Sequence, residues 1–300
     1  MPAITSSNVA QAIVKLVAFD ALPALEANLV MGRLVNRNYE ASLAQTGDTV
    51  NVPIPGVMVA NNIAEGGTVQ TQNPALGNAQ IVLNKHLEAT FQIPDVTKVL
   101  AFPNLLQQYM RPAIIAIATQ IETDLINLYP NLTAISAVGT GGAGLASEAV
   151  IDSAEKSLFK ALVPESIQKY AVVSPDAYSD LRQIGRFTED RITAGAGQAI
   201  ASGQVGKLKG FLFFRSQLVP KIAGTTYNIG FAPDAFALVT RQLPQPLPGT
   251  GAIAQYVNEG NFGLRIVMSY APGTLAQQFT VDVLYGVAVL RNVFGLQILS

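Results

Sequence analysis

The sequence predicts an α+β protein, and three observations carry that reading. Residues 47–54 and 79–93 alternate apolar and polar side chains, the period of a half-buried strand. Residues 103–129 place Leu106, Met110, Ile114, Ile117, Ile121, Leu125 and Leu128 at spacings of three and four, the stripe of one long helix. Residues 263–299 then read as three or four further strands. Strands and helices are segregated rather than strictly alternating, which favours α+β over a doubly wound parallel sheet.

The elements follow in order. Residues 1–45 read as an arm, with Ala21 to Leu34 helical and Pro23 in its first turn. Gly47-Asp48 opens a strand with Val50, Val52 and Ile54 on one face; Pro53 and Pro55 exclude a central position in a sheet. Residues 61–78 are turn formers. The return strand 79–93 points Ile81, Leu83, Lys85, Leu87, Ala89, Phe91 and Ile93 one way. This is a long hairpin with an apolar stripe, and a two-stranded hairpin is marginal in water. It must lie on its own domain or on a neighbour.

The helix at 103–129 would be ~40 Å long, with Pro112 kinking or breaking it and Pro130 ending it. Leu132 to Val138 reads as a strand. A helix from Ser147 to Leu162 has Ser147 as N-cap, acids early and lysines late. Tyr170–Val173 reads as a strand, and Pro175–Ile184 as a helix capped by Ser174. Residues 185–206 are glycine-rich. Leu208–Arg215 and Tyr227–Ala232 read as strands, Pro233–Thr240 as a short helix or turn, and 246–262 as a linker.

The chain of 300 residues has 19 basic and 20 acidic side chains, so no net charge drives it toward nucleic acid or an anionic membrane. With no Cys and one His, thiolate metal sites, disulfides and multi-histidine sites within one chain are excluded, and no metal or cofactor is expected. No apolar run reaches the ~20 residues of a membrane helix, and Met1 to Val14 has no basic start to a secretory signal. The default is a soluble cytoplasmic protein. Charged residues are only 13% of the chain, about half the usual ~25%. A weakly charged monomer accounts for this, and so does a surface covered by other copies.

Motifs for chemistry are weak. Gly139-Thr140-Gly141-Gly142-Ala143-Gly144 has the G-x-G-x-x-G spacing ahead of a helix, which suggests a phosphate cradle. The acidic residue that should end the next strand is missing, and a flexible glycine connection explains the run better. Two S-x-x-K matches, at Ser153 and Ser157, lack partner motifs. His86 and Glu88 share the polar face of a strand with no nucleophile beside them, and Glu122 and Asp124 lie on different sides of their helix. No catalytic constellation emerges, and the chain reads as a non-enzyme.

The order of elements resembles a known family. The arm, Gly47-Asp48-Thr49-Val50-Asn51-Val52-Pro53, the hairpin returning to Phe91-Gln92-Ile93-Pro94-Asp95, and the long helix come first. Val172-Val173-Ser174-Pro175, Gly203-Gln204-Val205-Gly206-Lys207-Leu208-Lys209-Gly210-Phe211 and Asp282-Val283-Leu284-Tyr285-Gly286 follow. This looks like the major capsid protein of tailed double-stranded DNA bacteriophages, the Hong-Kong-97-type capsid fold.

The resemblance implies an N-arm at 1–45 and an extended loop at 46–95 that overlaps a neighbour. It implies a peripheral domain from 96–163 and 246–300 around the spine helix 103–129, and an axial domain at 164–245. It implies a structural protein of the virion, assembled in the bacterial cytoplasm into the pentamers and hexamers of an icosahedral shell. Portal, scaffolding or decoration proteins would be partners. Packaged DNA would be touched weakly through phosphates, by the locally basic stretch Lys156 to Lys221. Glu65, Gly66, Gly67, Asn73, Pro74, Leu83, Leu87 and Phe91 are the inter-subunit interface residues this reading selects. Members that cross-link copies use a loop lysine; residues 61–78 hold none, so that chemistry is not expected. The alternatives are a nucleotide-dependent α/β enzyme on 139–144, a monomeric binding module, and a cargo-enclosing encapsulin-like shell.

Overall fold

The computed structural model describes residues 30–39, 49–54, 56, 58–63, 65–74, 77–184, 207–247, 250–259 and 262–300. Most of the arm, including residues 21–29 of its expected helix, and the glycine-rich 185–206 lie outside these. The fold is built on two sheets, a short hairpin and one long helix.

The five-stranded sheet contains β3 (Lys85–Pro94), β10 (Phe236–Arg241), β11 (Ile253–Glu259), β12 (Phe262–Ala271) and β13 (Ala276–Val289). β13 is its axis. It pairs antiparallel with β3 over ten residues, with β12 through its first half and with β10 through its second. The linker expected at 246–262 therefore contains an edge strand, β11, and 233–240 is mostly strand β10 after a single 3₁₀ turn.

The seven-stranded sheet runs β4 (Val138–Gly139), β14 (Gly295–Leu299), β9 (Thr225–Phe231), β5 (Lys169–Val173), β7 (Phe211–Arg215), β6 (Lys207–Leu208), with β8 (Lys221–Ile222) on β9. α3 (Glu148–Lys160) and α4 (Pro175–Gln183) begin at the expected caps. Ser147 Oγ accepts from the Ala149 N–H at 3.3 Å, and Ser174 Oγ from Ala177 at 3.1 Å. Asn228 of β9 is fully buried and satisfied. It accepts from the Ser174 N–H and donates to the Ile298 carbonyl and the Ser300 hydroxyl.

These sheets cut across the expected domain limits. β10, inside 164–245, belongs to the five-stranded sheet. β4 and α3 from 96–163, and β14 from 246–300, belong with the seven-stranded one. Backbone pairing decides this, and it joins residues too far apart in sequence for local patterning to reveal.

The spine helix, α2, runs Asp95–Ile126, 32 residues or roughly 48 Å. It starts eight residues before the expected 103, and both Pro103 and Pro112 lie within an unbroken assignment. Each proline removes one ladder donor, and the helix packs on β3 and β13. Pro130 sits in the 3₁₀ turn that follows the helix.

Among the described residues of this helix, Glu122 is the one charged side chain that is buried, although it lies off the apolar stripe. It is 1% exposed. Its two carboxylate oxygens accept from the Met31 N–H at 2.6 Å and the Gly32 N–H at 3.2 Å, capping α1 (Met31–Leu34), the described end of the arm. These are donors that a four-residue helix cannot satisfy by itself. Burial raises the Glu122 pKa above its ordinary 4.5, against the lowering effect of those N–H groups. Across the same helix Asp124 takes the Lys85 ammonium at 2.8 Å and the Tyr285 hydroxyl, tying α2 to β3 and β13.

Glu122→Ala leaves two buried N–H groups unpaired and should destabilise the unassembled subunit by about 2–4 kcal/mol in urea titration. A carboxyl with a raised folded-state pKa favours folding most when protonated. The stability of the wild type relative to Glu122→Gln should therefore be greatest near pH 4.5. It should fall as pH rises through the raised pKa and flatten above it. A difference that grows with pH would contradict this placement.

Candidate assembly interface

The hairpin divides into an anchored base and a projecting tip. β1 (Thr49–Ile54) pairs antiparallel with β2 (Gly77–Val82) in register Thr49 to Val82 through Ile54 to Gly77. Val50, Val52, Ile81 and Leu83 are buried with Ala237, Val239 and Leu290 of the chain's own β10 and β13 end. The base is therefore core.

The expected return strand 79–93 is not one strand. It breaks at Leu83-Asn84 into β2, which stays with β1, and β3, which leaves for β13. Gly286 makes the corner fit. A Cβ there would lie 2.4 Å from the Val82 carbonyl oxygen.

The tip, 58–74, stands away from this base. Met58, Val59, Ile63 and Val69 are 64%, 67%, 49% and 75% exposed. Its two limbs are held by side-chain amides rather than a ladder: Gln72 accepts from the Val59 N–H at 2.9 Å and donates back to the Val59 carbonyl. The geometry is defined, and the apolar side chains are left in water. Exposed apolar side chains grouped on one loop make the tip a candidate for contact with another molecule.

The eight expected interface residues separate accordingly. Glu65, Gly66, Gly67 and Asn73 are exposed on the tip, and Pro74 is half-buried there. Leu83, Leu87 and Phe91 are corrected: they face the chain's own core. Leu83 is buried with the hairpin base, and Leu87 and Phe91 pack on the main core from β3. Phe91 stacks between Phe279 and Tyr109, at centroid distances of 5.4 and 5.7 Å. The alternation that selected them was right about their face, but the chain's own helix α2 packs on β3, with Tyr109 on Phe91, and Phe279 of the paired strand β13 lies beside Phe91.

The other sequence candidates resolve as structural. Gly139 has φ +96°, and a Cβ there would sit 2.3 Å from the Leu299 carbonyl oxygen. At Gly141 a Cβ would meet the Thr225 hydroxyl at 2.1 Å. The Leu145 N–H beyond the loop donates to Asp180 Oδ2 at 3.0 Å. A carboxylate of the chain itself thus sits at this loop, where a phosphate would meet like charge. His86 pairs with Asp282 at 3.2 Å rather than with Glu88, which accepts from Thr90. Asp282 is 3% exposed and also holds Arg265, whose pKa rises chiefly through that hydrogen bond. Sequence reasoning missed Arg265–Asp282 because the pair forms only in the β12–β13 register. Lys85 of β3 is engaged by Asp124. Among the described residues no cluster of His, Asp or Glu could hold a metal ion, and no helix is long and apolar enough to cross a membrane.

No family model matches the chain, and no curated protein does. Solved structures do. A structure from Mycobacterium phage Che8 superposes with TM-score 0.65 at 20% identity, covering 90% of each chain. The capsid structure of cyanophage P-SCSP1u gives 0.61 at 16%, covering 84% of this chain and 83% of that one. A virus-like particle from Pyrococcus furiosus gives 0.54 at 11%, covering 95% and 98%. The chain has the α+β fold of tailed-phage capsid proteins, the Hong-Kong-97-type fold, which encapsulin-like shells share.

The glycine packing predicts unequal costs. Gly139→Ala drives a Cβ into backbone and should destabilise by about 2–4 kcal/mol. Gly66→Ala, also at positive φ but in open space, should cost about 1–2 kcal/mol. Urea unfolding of both variants checks this; equal costs would mean that the loop 139–144 is not packed as described.

Proposed function

We propose that the chain is the major capsid protein of a tailed double-stranded DNA bacteriophage, self-assembling into the pentamers and hexamers of an icosahedral shell. One observation carries this beyond the fold: a rigidly based loop projects four large apolar side chains that its own chain leaves uncovered. A monomer gains nothing from that arrangement, whereas a lattice of identical copies covers every tip. Glu65, Gly66, Gly67, Asn73 and Pro74 are then interface residues between copies. The low charge fits the same reading, because large interfaces deplete charge.

In this reading the five-stranded sheet with α2 forms the peripheral domain, and the seven-stranded sheet with α3 and α4 forms the axial domain. The Glu122 clasp holds the described part of the arm, at Met31 and Gly32, to the spine helix. The basic stretch Lys156 to Lys221 meets packaged DNA through phosphates only, with steep salt dependence and no sequence preference. Portal, scaffolding and decoration proteins would be further partners, and no catalytic role is assigned. Asp180 beside the glycine loop weighs against the nucleotide-enzyme alternative. A cargo-enclosing shell shares the fold, so particle contents decide between the two.

Negative-stain microscopy of the purified chain, expressed alone and with its neighbouring genes, should show closed isometric shells or rings of five or six. Particles made during infection should carry nuclease-protected DNA. Replacing residues 61–72 with a short glycine linker should leave a cooperatively unfolding subunit that forms no complete shell. A uniform monomer under both expression conditions would overturn the proposal, as would normal shells from the shortened loop.

A further inference from the structure

We infer that residues 243–247 form a polyproline II ridge that docks in an aromatic-lined groove of a separate protein, with Pro244 and Leu247 as the side chains the groove takes. The inference goes beyond the shell reading and applies to the chain whether or not it closes a shell.

The conformation follows from the order of residues. Leu243-Pro244-Gln245-Pro246-Leu247-Pro248 alternates proline with a residue that precedes proline. Each proline ring fixes φ at about −65°, and each residue before a proline is pushed out of the helical region toward extended or polyproline II backbone. Pro244 and Pro246 also bring no N–H to a strand ladder. Burial decides between a flat strand and polyproline II. Leu243 and Pro246 are half-buried, whereas Gln242, Pro244, Gln245 and Leu247 are exposed. That is a period of three, the repeat of polyproline II; a strand would repeat every two residues.

The ridge is held by its carbonyls. The Tyr256 hydroxyl of β11 donates to the Leu243 carbonyl, and Arg265 of β12 donates to the Pro244 carbonyl. Arg265 is itself fixed by the buried Asp282 of β13. The Leu247 carbonyl accepts from the Thr250 hydroxyl at 2.9 Å and from the Thr250 N–H, closing a turn before β11. Leu247 is nonetheless 77% exposed. A backbone fixed in this way loses little freedom when a partner covers it. Pro244 and Leu247 share one face of the ridge, three residues or roughly 9 Å apart at the polyproline II rise. Ridges of this kind fit grooves lined with aromatic rings.

Charge and ring placement select the partner. Gln242 to Asn258 carries no charged side chain, so a groove that receives the ridge gains nothing from acids or bases. A second copy of this chain offers no suitable groove among its described residues. Its large exposed aromatic side chains are Tyr109, Phe159 and Tyr270, and no two of them stack. The cleft beside Phe159 is lined by Asp152, Glu155, Lys156 and Glu165. An uncharged ridge would strip those groups of water and replace it with nothing. The partner is therefore another protein, with adjacent rings and no charge between them.

The probes are the protein products of the neighbouring genes, each purified and mixed with the assembled chain. Binding is read by co-sedimentation and by the probe's own tyrosine or tryptophan fluorescence. One product should bind the unmodified chain and be displaced by a free peptide of residues 240–250. Its affinity should fall about tenfold or more with Leu247→Asp and with Pro244→Gly. Both variants should keep the unfolding midpoint of the unmodified chain, because both side chains are exposed. Phe159→Asp should bind as the unmodified chain does. No binding by any product, binding undiminished in Leu247→Asp and Pro244→Gly, or equal loss in Phe159→Asp would overturn this docking and leave the shell reading standing. Shell closure lost in Leu247→Asp with no added protein would also overturn it, since a second copy would then be the occupant. If the unmodified chain stays monomeric, the shell reading falls, and the same fluorescence titration on the monomer decides the docking by itself.

Discussion

The backbone of β13 constrains everything around it. Of its 14 residues, ten pair with β3 on one edge, and the other edge is shared between β12, the strand just before it in the chain, and β10. β3 is drawn along one edge for its whole length. β2 cannot follow, because β1 already holds it. The chain turns sharply at Leu83-Asn84, over the one place on β13, Gly286, where no side chain stands in the way. The direction in which the hairpin leaves the sheet, and hence the projection of the tip, follows from that pairing conflict.

Polar groups inside the fold are used to lock elements together rather than to do chemistry. Glu122 ties the arm to the spine helix, Asp124 ties the spine helix to two strands, Asp282 ties β12 and β3 to β13, and Asn228 ties β9 to the α4 cap and β14. Each lies where several elements meet, and each has its lone pairs or donors taken. A buried polar group with all partners made specifies one arrangement. The tip, by contrast, leaves Met58, Val59, Ile63 and Val69 in water. That division suits a subunit that is rigid in itself and incomplete without neighbours.

Local signals in the sequence were readable wherever the physics is local. Ser147 and Ser174 start their helices as hydroxyl caps should, and the alternation through 79–93 correctly assigns which side chains face inward. The stripe from Met110 to Leu125 is buried as its spacing demands. The burial of Glu122 was not legible, because the donors that receive its carboxylate lie 90 and 91 residues away. β11 was hidden in a stretch flanked by glycine and proline, and only its pairing with β12 makes it a strand.

The sequence by itself determined many of the element types, the caps, the inward faces and the near absence of charge on the loop, since all of these can be read from residues close together in the chain. The tertiary structure decided which sheet each strand joins, where the return strand breaks, and which apolar faces are already covered. Leu87 and Phe91 have the same pattern as an interface strand, and they join the core because β3 pairs with β13 and packs against α2. Met58, Val59, Ile63 and Val69 have no such cover from their own chain, and that difference is invisible to periodicity.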